Sequence, residues 1–334
     1  MRELKVGKND AGQRLDKFIT KALDIPMSLL YKSIRLKKIK VNRKRAEIST
    51  KLSEGDTIQC FLAEELFAKL DAGMGIRADG TADNPVSLLE KINFAPDVAY
   101  EDENIIVVNK PQGLSVHEDT DTKTNTLITY IQAYLYKKGE YSPLTEQSFA
   151  PALCNRIDRN TQGLVIAAKN AEALRIMNEK IKLRQIDKFY LAAVHGIPSP
   201  RENTIRGYLL KDEKTNTVRV FDKNPPKAAK EIITKYKTLC TLSDKALVEV
   251  ELLTGRTHQI RAHMAHIGHP LLGDGKYGVN REDKKSGYKY QALCSYKLRF
   301  SFEGEPCALD YLNGREISIP KDKIYFTEEF FRKG

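Results

Sequence analysis

The sequence predicts an α+β protein: a large domain on a mixed, largely antiparallel sheet, preceded by a small α+β module. Three observations carry that expectation. From about residue 98 onward, apolar runs of strand length outnumber helical patterns. Most connections between those runs are too short for helical crossovers, which argues against a doubly wound parallel sheet. The first sixty or so residues hold two short helical patterns and a small set of strands, a unit compact enough to stand apart. With 334 residues the chain has room for two domains, one with a sizeable core.

Leu15, Phe18, Ile19, Ala22 and Leu23 recur at i, i+3, i+4, i+7 and i+8, one face of a helix. Leu29, Leu30 and Ile34 suggest a second helix after the break at Pro26. Ile39 and Val41 read as a strand leading into a basic turn at Asn42-Arg43-Lys44. Glu54-Gly55-Asp56 is a turn, and Ile58, Cys60 and Leu62 alternate as a closing strand. Residues 1–62 are therefore expected as one domain, 63–97 as a linker, and 98–334 as the second domain. The Gly-rich stretch Gly73–Gly80 sits between no clear strand and helix, so it is not read as a dinucleotide loop.

In the second domain, Ile105–Val108 has the continuous apolar character of a buried strand, closed by a turn at Asn109-Lys110-Pro111-Gln112-Gly113. Val165–Ala168 is another strand, with a helix from about Ala171 to Lys182. Phe189–Val194 and Ala246–Leu253 are strong strands, and Ile205–Leu210, Val218–Phe221 and Ile232–Tyr236 weaker ones. A turn at Thr254-Gly255 precedes a helix starting near Thr257 and ended by Gly268 and Pro270.

Charge is concentrated. Between Tyr31 and Lys51 stand nine Lys or Arg against the single acid Glu47, a local excess of +8 within a chain total of +11. So dense a patch points to a polyanion, and to nucleic acid first. Five scattered cysteines with no CxxC pair read as reduced thiols, and no signal peptide or membrane span is visible, so a cytoplasmic protein is expected.

The chemistry is sought at Asn155-Arg156-Ile157-Asp158-Arg159-Asn160-Thr161-Gln162-Gly163-Leu164. One carboxylate, Asp158, stands between two arginines, and guanidinium groups nearby favour its ionised form. That suits a nucleophile or an electrostatic stabiliser and does not suit a general acid. Glycoside hydrolysis usually needs two carboxyl groups, one kept protonated, and the motif offers one. The plainer alternative is a structural ion pair. A zinc site on His258, His263, His266 and His269 is not expected, because the segment lacks both a nearby cysteine and the Glu of a metalloprotease pair.

Two resemblances add to this reading. Gly12-Gln13-Arg14-Leu15-Asp16-Lys17-Phe18, Lys40–Arg45 and Leu52–Asp56 together look like the S4-like RNA-binding domain, named after a small-subunit ribosomal protein. That resemblance implies recognition of structured RNA by the helix pair and the basic loop, with Lys37, Lys38, Arg43 and Lys44 as substrate-binding residues. The stretch around Asp158 resembles the catalytic motif of the RluA-type RNA pseudouridine synthases. Asn109–Gly113, Lys188-Phe189-Tyr190 with Ala192–Gly196, and Thr254–Arg261 continuing through Gly268–Asp274 to Tyr277-Gly278 match the same family in order. The branch most resembled acts on large-subunit ribosomal RNA. The chain departs from the pattern at Asn155, Ile157 and Gln162, where most members carry histidine, leucine and serine.

The family resemblance implies a catalytic set of Asp158, Tyr190 and Arg261. Asp158 would attack the flipped-out nucleotide or stabilise charge at its sugar. Tyr190 would stack on the base and serve as general base, and Arg261 would pair with Asp158. Arg156 would face the RNA and fill the gap left by flipping, with Arg256 a further substrate-binding residue. No cofactor and no metal are expected, and the protein is expected to act as a monomer. The rival reading is an RNA-binding or ribosome-assembly protein without catalysis, using the N-terminal module alone.

Overall fold

A computed structural model describes residues 1–23, 25–67, 75–76, 82–83, 85–117, 125–143, 146, 148–278 and 280–331. They fall into two units. One comprises Met1–Ala95, Ile128–Ala152 and Ala168–Arg175; the other comprises Pro96–Leu127, Leu153–Ala167 and Ile176–Gly334.

The first unit opens with β1 (Arg2–Lys5), α1 (Leu15–Leu23) and α2 (Met27–Arg35), then β2 (Ile39–Val41), β3 (Lys44–Arg45) and β4 (Thr57–Cys60). The strands pair in the order β1-β4-β2-β3. The apolar face read at Leu15, Phe18 and Ile19 is fully buried and meets Leu30, Ile39 and Ile58 in one core. Burial stabilises each such side chain by roughly 2 kcal/mol. Arg14 grips both carboxylate oxygens of Asp16, at 3.1 and 2.8 Å, at the acidic first turn of α1, where the helix dipole favours negative charge.

The basic turn between β2 and β3 has positive φ at both Asn42 (50°) and Arg43 (64°), the geometry that matches the twist of a two-residue hairpin. It is braced from behind: Asn42 donates to Asp56 at 2.7 Å and accepts from Thr57 N at 2.9 Å, while Arg43 N donates to Gln59 at 2.9 Å. Lys37, Lys38, Arg43 and Lys44 are all exposed.

Within the expected linker, a 3-10 turn at Glu64–Phe67 buries Phe67 in the same core, and α3 (Pro85–Lys91) follows. Apart from Gly75 and Ile76, the Gly-rich stretch lies outside the described residues. The same unit holds most of α4 (Leu127–Lys137). Asn9 donates to Glu146, Gln13 to Ser148, and Arg175 to the Ala11 carbonyl, each at 2.8 Å.

The second unit is built on β5 (Asp97–Glu101), β6 (Ile105–Lys110), β7 (Gln162–Ala168), β8 (Ile186–His195), β9 (Glu202–Asp212), β10 (Thr217–Phe221), β11 (Lys230–Leu242), β12 (Lys245–Leu252), β13 (Leu293–Phe300) and β14 (Glu316–Ser318). The order is β10-β9-β11-β12-β8-β13-β7-β6-β5, with β14 paired to β13. The join of β7 to β13 is parallel, whereas β8 meets both β12 and β13 antiparallel, so the sheet is mixed as expected. After β7 runs α5 (Ala171–Lys182); α6 (Gln259–His266) follows β12, and α7 (Asn280–Lys285) precedes β13.

The central strand β13 was not read from the sequence, although Tyr296, Leu298 and Phe300 alternate with Lys297 and Arg299. Its backbone explains Gly163. At φ 132° that residue lies opposite Ser295, and a Cβ there would stand 2.4 Å from the Ser295 carbonyl oxygen. Only glycine permits that approach. Ala262 of α6 packs into a small core with Leu209, Val218 and Ile232, which seats the helix against β9, β10 and β11.

Candidate active site

The loop that carries Asp158 is pinned at both ends. Ile166 N donates to the Asn155 side-chain oxygen at 2.8 Å, and Thr161 N closes a turn on the Asp158 carbonyl at 3.0 Å. Gln162 donates to the Lys323 carbonyl at 3.0 Å. The amides at the two departing positions, 155 and 162, thus hold the loop by hydrogen bonds of their own.

A third hold comes from Lys110, whose side chain is fully buried. Its ammonium donates to the carbonyls of Pro111, Leu114 and Arg159 at 2.8, 2.9 and 2.8 Å, clamping the turn after β6 to the Asp158 loop. Burial pulls the Lys110 pKa down to about 7, against the pull of the Asp158 charge. Three carbonyl acceptors use all three protons of the ammonium, so this geometry is built for the charged form.

The second element is the turn before α6. Gln259 is buried and bonds Thr254, Thr234, the Ile233 carbonyl and Arg256 N. The helix starts at Gln259, two residues later than expected, because His258 takes a left-handed φ of 53° at the N-cap. Arg261, 5% exposed, is thereby aimed at Asp158: its Nη1 donates to Asp158 Oδ2 at 3.0 Å. Its Nε and Nη2 donate to the two oxygens of Asp274 at 2.7 and 2.8 Å, the bidentate fork that suits guanidinium and carboxylate. Burial works against the charge of Arg261, but the bonds and charge of Asp274, with Asp158 behind them, lift its pKa above the ordinary value. Burial likewise opposes ionised Asp274, yet Arg261 and the N–H groups of Lys276 and Tyr277 hold it below the usual range.

Asp158 faces a cavity of about 340 Å³, within the span of small-ligand sites, whose wall includes Arg156, Lys188, Tyr190, Leu252, Arg256, His258 and Leu293. Among the described lining residues Asp158 is the one carboxylate. Tyr190, on β8, is 6% exposed. Burial, with the Asp158 charge added, pushes its hydroxyl up to about 12. His258 bonds the Tyr277 hydroxyl through Nδ1 at 2.9 Å and places Nε2 3.8 Å from Asp158. Burial pulls its imidazole down to about 4, so it is neutral at pH 7.

With this geometry in view, the relatives become decisive. A family model described as RNA pseudouridylate synthase matches residues 104–266. A ribosomal large subunit pseudouridine synthase C from Vibrio parahaemolyticus is 32% identical over 84% of this chain and 82% of its own length. The chain belongs to the RNA pseudouridine synthase family. An uncharacterized RNA pseudouridine synthase from Mycoplasma capricolum is also 32% identical, over 96% of this chain and 97% of its own. The fold is shared with the solved structure of human RNA pseudouridylate synthase domain containing 4, with a TM-score of 0.52 and 22% identity over 67% of this chain and 87% of that one. Membership makes the protein an isomerase and displaces the reading as an RNA-binding protein without catalysis.

For a pseudouridine synthase, the placement of each expected residue is informative. Asp158, Tyr190 and Arg261 share one cavity wall, with Arg156 and Arg256 exposed on the same wall. The neighbours of Asp158 are not its partners: Arg159 donates Nε to the Gly113 carbonyl at 3.0 Å, and the carboxylate bonds Arg261 instead. In the free protein Tyr190, the expected general base, is the protonated phenol. A phenol with its pKa near 12 keeps its proton at neutral pH and is a donor, because burial disfavours the phenolate.

The histidines weighed as zinc ligands have separate partners: His258 at Tyr277, His263 at Thr234, His266 at Asp222 and His269 at the His195 carbonyl. Sequence reasoning gave no role to Lys110 or Asp274. Their signals were a lysine ending the buried strand β6 and an acid in the Gly-Asp pair beyond α6.

Proposed function

We propose that this enzyme converts uridines of large-subunit ribosomal RNA to pseudouridine, with Asp158 as the acting carboxylate. The observation that carries the mechanism is the Asp158–Arg261 contact of 3.0 Å on the wall of a cavity shared with Tyr190. A flipped uridine enters with its base against Tyr190 and C1′ beside Asp158. The C1′–N1 bond breaks, with Asp158 adding to C1′ or stabilising its positive charge. The freed uracil turns and bonds C1′ through C5. C5 gives up its proton and N1 takes one, so substrate and product are isomers and no cofactor enters the balance.

Arg156 and Arg256, exposed at the mouth, hold the RNA, and Arg156 fills the stack the uridine leaves. Residues 1–62 serve as the S4-like RNA-binding domain, with 98–334 as the catalytic domain. Lys37, Lys38, Arg43 and Lys44 are all exposed, as phosphate contacts require. The ribosomal substrate is supported by the names of the relatives at about 30% identity. The protein works as a cytoplasmic monomer.

The test is Asp158→Asn, assayed by release of tritium from C5-labelled uridine in a large-subunit transcript. Product should vanish while RNA affinity stays within a few-fold. Turnover by the variant would refute the role of Asp158.

A further inference from the structure

Asp158 and Arg261 stand on the walls of two cavities. The second, of about 380 Å³, is also lined by Arg159, Asn160, Gly273, Lys276, Lys284, Lys289 and Tyr290. Its five Lys or Arg face a single acid, Asp158, and the charge of Arg261 is already met by Asp158 and Asp274. Arg159, Lys276, Lys284 and Lys289 form no ion pair with a carboxylate among the described residues. Lys276 donates to the Asn216 carbonyl at 2.9 Å, Lys289 lies 5.4 Å from the centre of the Tyr290 ring, and Arg159 is held at the Gly113 carbonyl. Uncompensated cations around one concavity raise the local concentration of anions.

The cavity wall is anchored. Asp283 of α7, 5% exposed, accepts from Gly273 N at 2.8 Å and meets His195 Nε2 at 3.0 Å. Gln291, 3% exposed, donates to Thr161 Oγ1 at 3.2 Å, in the Asp158 loop itself. Tyr325 donates to the Tyr290 carbonyl at 3.0 Å. The segment that presents Lys284 and Lys289 is thus tied to the same loop that presents the carboxylate. Gly273, at φ 73°, is packed so closely on the Tyr290 carbonyl that a Cβ would stand 2.2 Å from its oxygen.

We infer that the second cavity is a phosphate subsite that takes a phosphodiester flanking the target uridine. The inference rests on the proposed reaction, because that reaction fixes where the nucleotide lies. With the base in the Tyr190 cavity and C1′ at Asp158, the ribose and its phosphates leave on the far side of the carboxylate. Arg159, Lys276, Lys284 and Lys289 meet them there. A phosphodiester is an anion, and these are the cations available to hold it beside Asp158.

The experiment uses the full chain carrying Lys284→Ala and Lys289→Ala, both exposed positions outside the catalytic set. Substrate RNA is prepared with and without a neutral methylphosphonate at each phosphate next to the target. KM should rise about tenfold with kcat within twofold. Losing one single-strand phosphate contact should shrink the slope of log affinity against log salt by about 0.7. One methylphosphonate should weaken the wild type clearly more than the double variant, which keeps Arg159 and Lys276. Unchanged KM and salt slope would overturn the subsite, as would a double variant as sensitive to methylphosphonate as the wild type. Absence of pseudouridine from the wild type would instead defeat the proposed reaction. The subsite is then judged by RNA binding to Asp158→Asn protein with and without the two lysine changes.

Discussion

Asp274→Asn keeps the shape of a fully buried side chain and removes its charge. The carboxylate accepts four hydrogen bonds: from Arg261 Nε at 2.7 Å and Nη2 at 2.8 Å, and from the N–H groups of Lys276 and Tyr277 at 2.9 and 3.2 Å. An asparagine oriented to keep the three bonds at Oδ1 turns its NH2 toward Arg261 Nε, donor against donor. A lost hydrogen bond to a charged group costs about 1.5–3 kcal/mol, and breaking a buried pair about 3–5. A loss of about 3 kcal/mol in urea unfolding is therefore expected. Arg261 would then draw its neutralising charge from Asp158 alone, which holds that carboxylate more tightly and blunts its action at C1′. If about half of the 3 kcal/mol reaches the transition state, kcat falls about tenfold with KM little changed. Tritium release measures kcat, and urea titration measures stability. Lower stability with unaltered kcat would show that Asp274 braces the fold without setting the chemistry. If neither changed, the buried fork would have no energetic weight.

Three further outcomes follow from the geometry. Replacing Lys37, Lys38, Arg43 and Lys44 by glutamine should weaken RNA binding and flatten its salt dependence, by up to about 3 in log–log slope at ~0.7–0.9 per contact; an unchanged slope would place the RNA elsewhere. Gly163→Ala should cost about 3 kcal/mol or more, since its Cβ would strike the Ser295 backbone at a φ of 132° that alanine avoids, and near-normal urea stability would refute this. His263, bonded to Thr234 at 2.9 Å, has its pKa lowered by burial from 6.5 to about 4. The folded protein therefore binds fewer protons than the unfolded chain between those values, and stability is lost as pH falls through 6.5 toward 4. That amounts to about 2 kcal/mol at pH 5 as an upper bound, and His263→Gln should flatten the fall between pH 7 and 5, whereas an equal fall in both proteins would exclude it.

Local patterns were legible wherever one face of an element is buried. The spacing at Leu15, Phe18 and Ile19 and the run at Ile105–Val108 each became the expected element, because periodicity reports burial directly. Strand β13 was overlooked although its alternation was present, and its central place depends on pairings with β7 and β8 from distant sequence. At the site, Asp158 was legible as the carboxylate of interest, but its sequence neighbours misled. Successive side chains on a turn point apart, so Arg156 and Arg159 are exposed while the partner lies 103 residues away. Resemblance to family motifs supplied that partner. Spacing does not reveal Asp274 or Lys110, because each acts through a buried bond to another segment.

The single carboxylate of the site is held asymmetrically. Arg261 donates to Asp158 only at Oδ2, and among the described residues no hydrogen bond reaches Oδ1. A guanidinium free to rotate would satisfy both oxygens of its partner. Asp274 fixes the guanidinium by occupying its Nε–Nη2 edge, and Asp158 meets Nη1 through one oxygen. One oxygen is thus held in place while the other is available to the sugar. His258 stands 3.8 Å from Asp158 as a neutral imidazole, and Tyr190 keeps its proton. A glycosidase would need a second carboxyl group to protonate the leaving base and direct water. In the proposed reaction the base need not leave the cavity, and it asks of Asp158 an anchored carboxylate with one open oxygen at C1′.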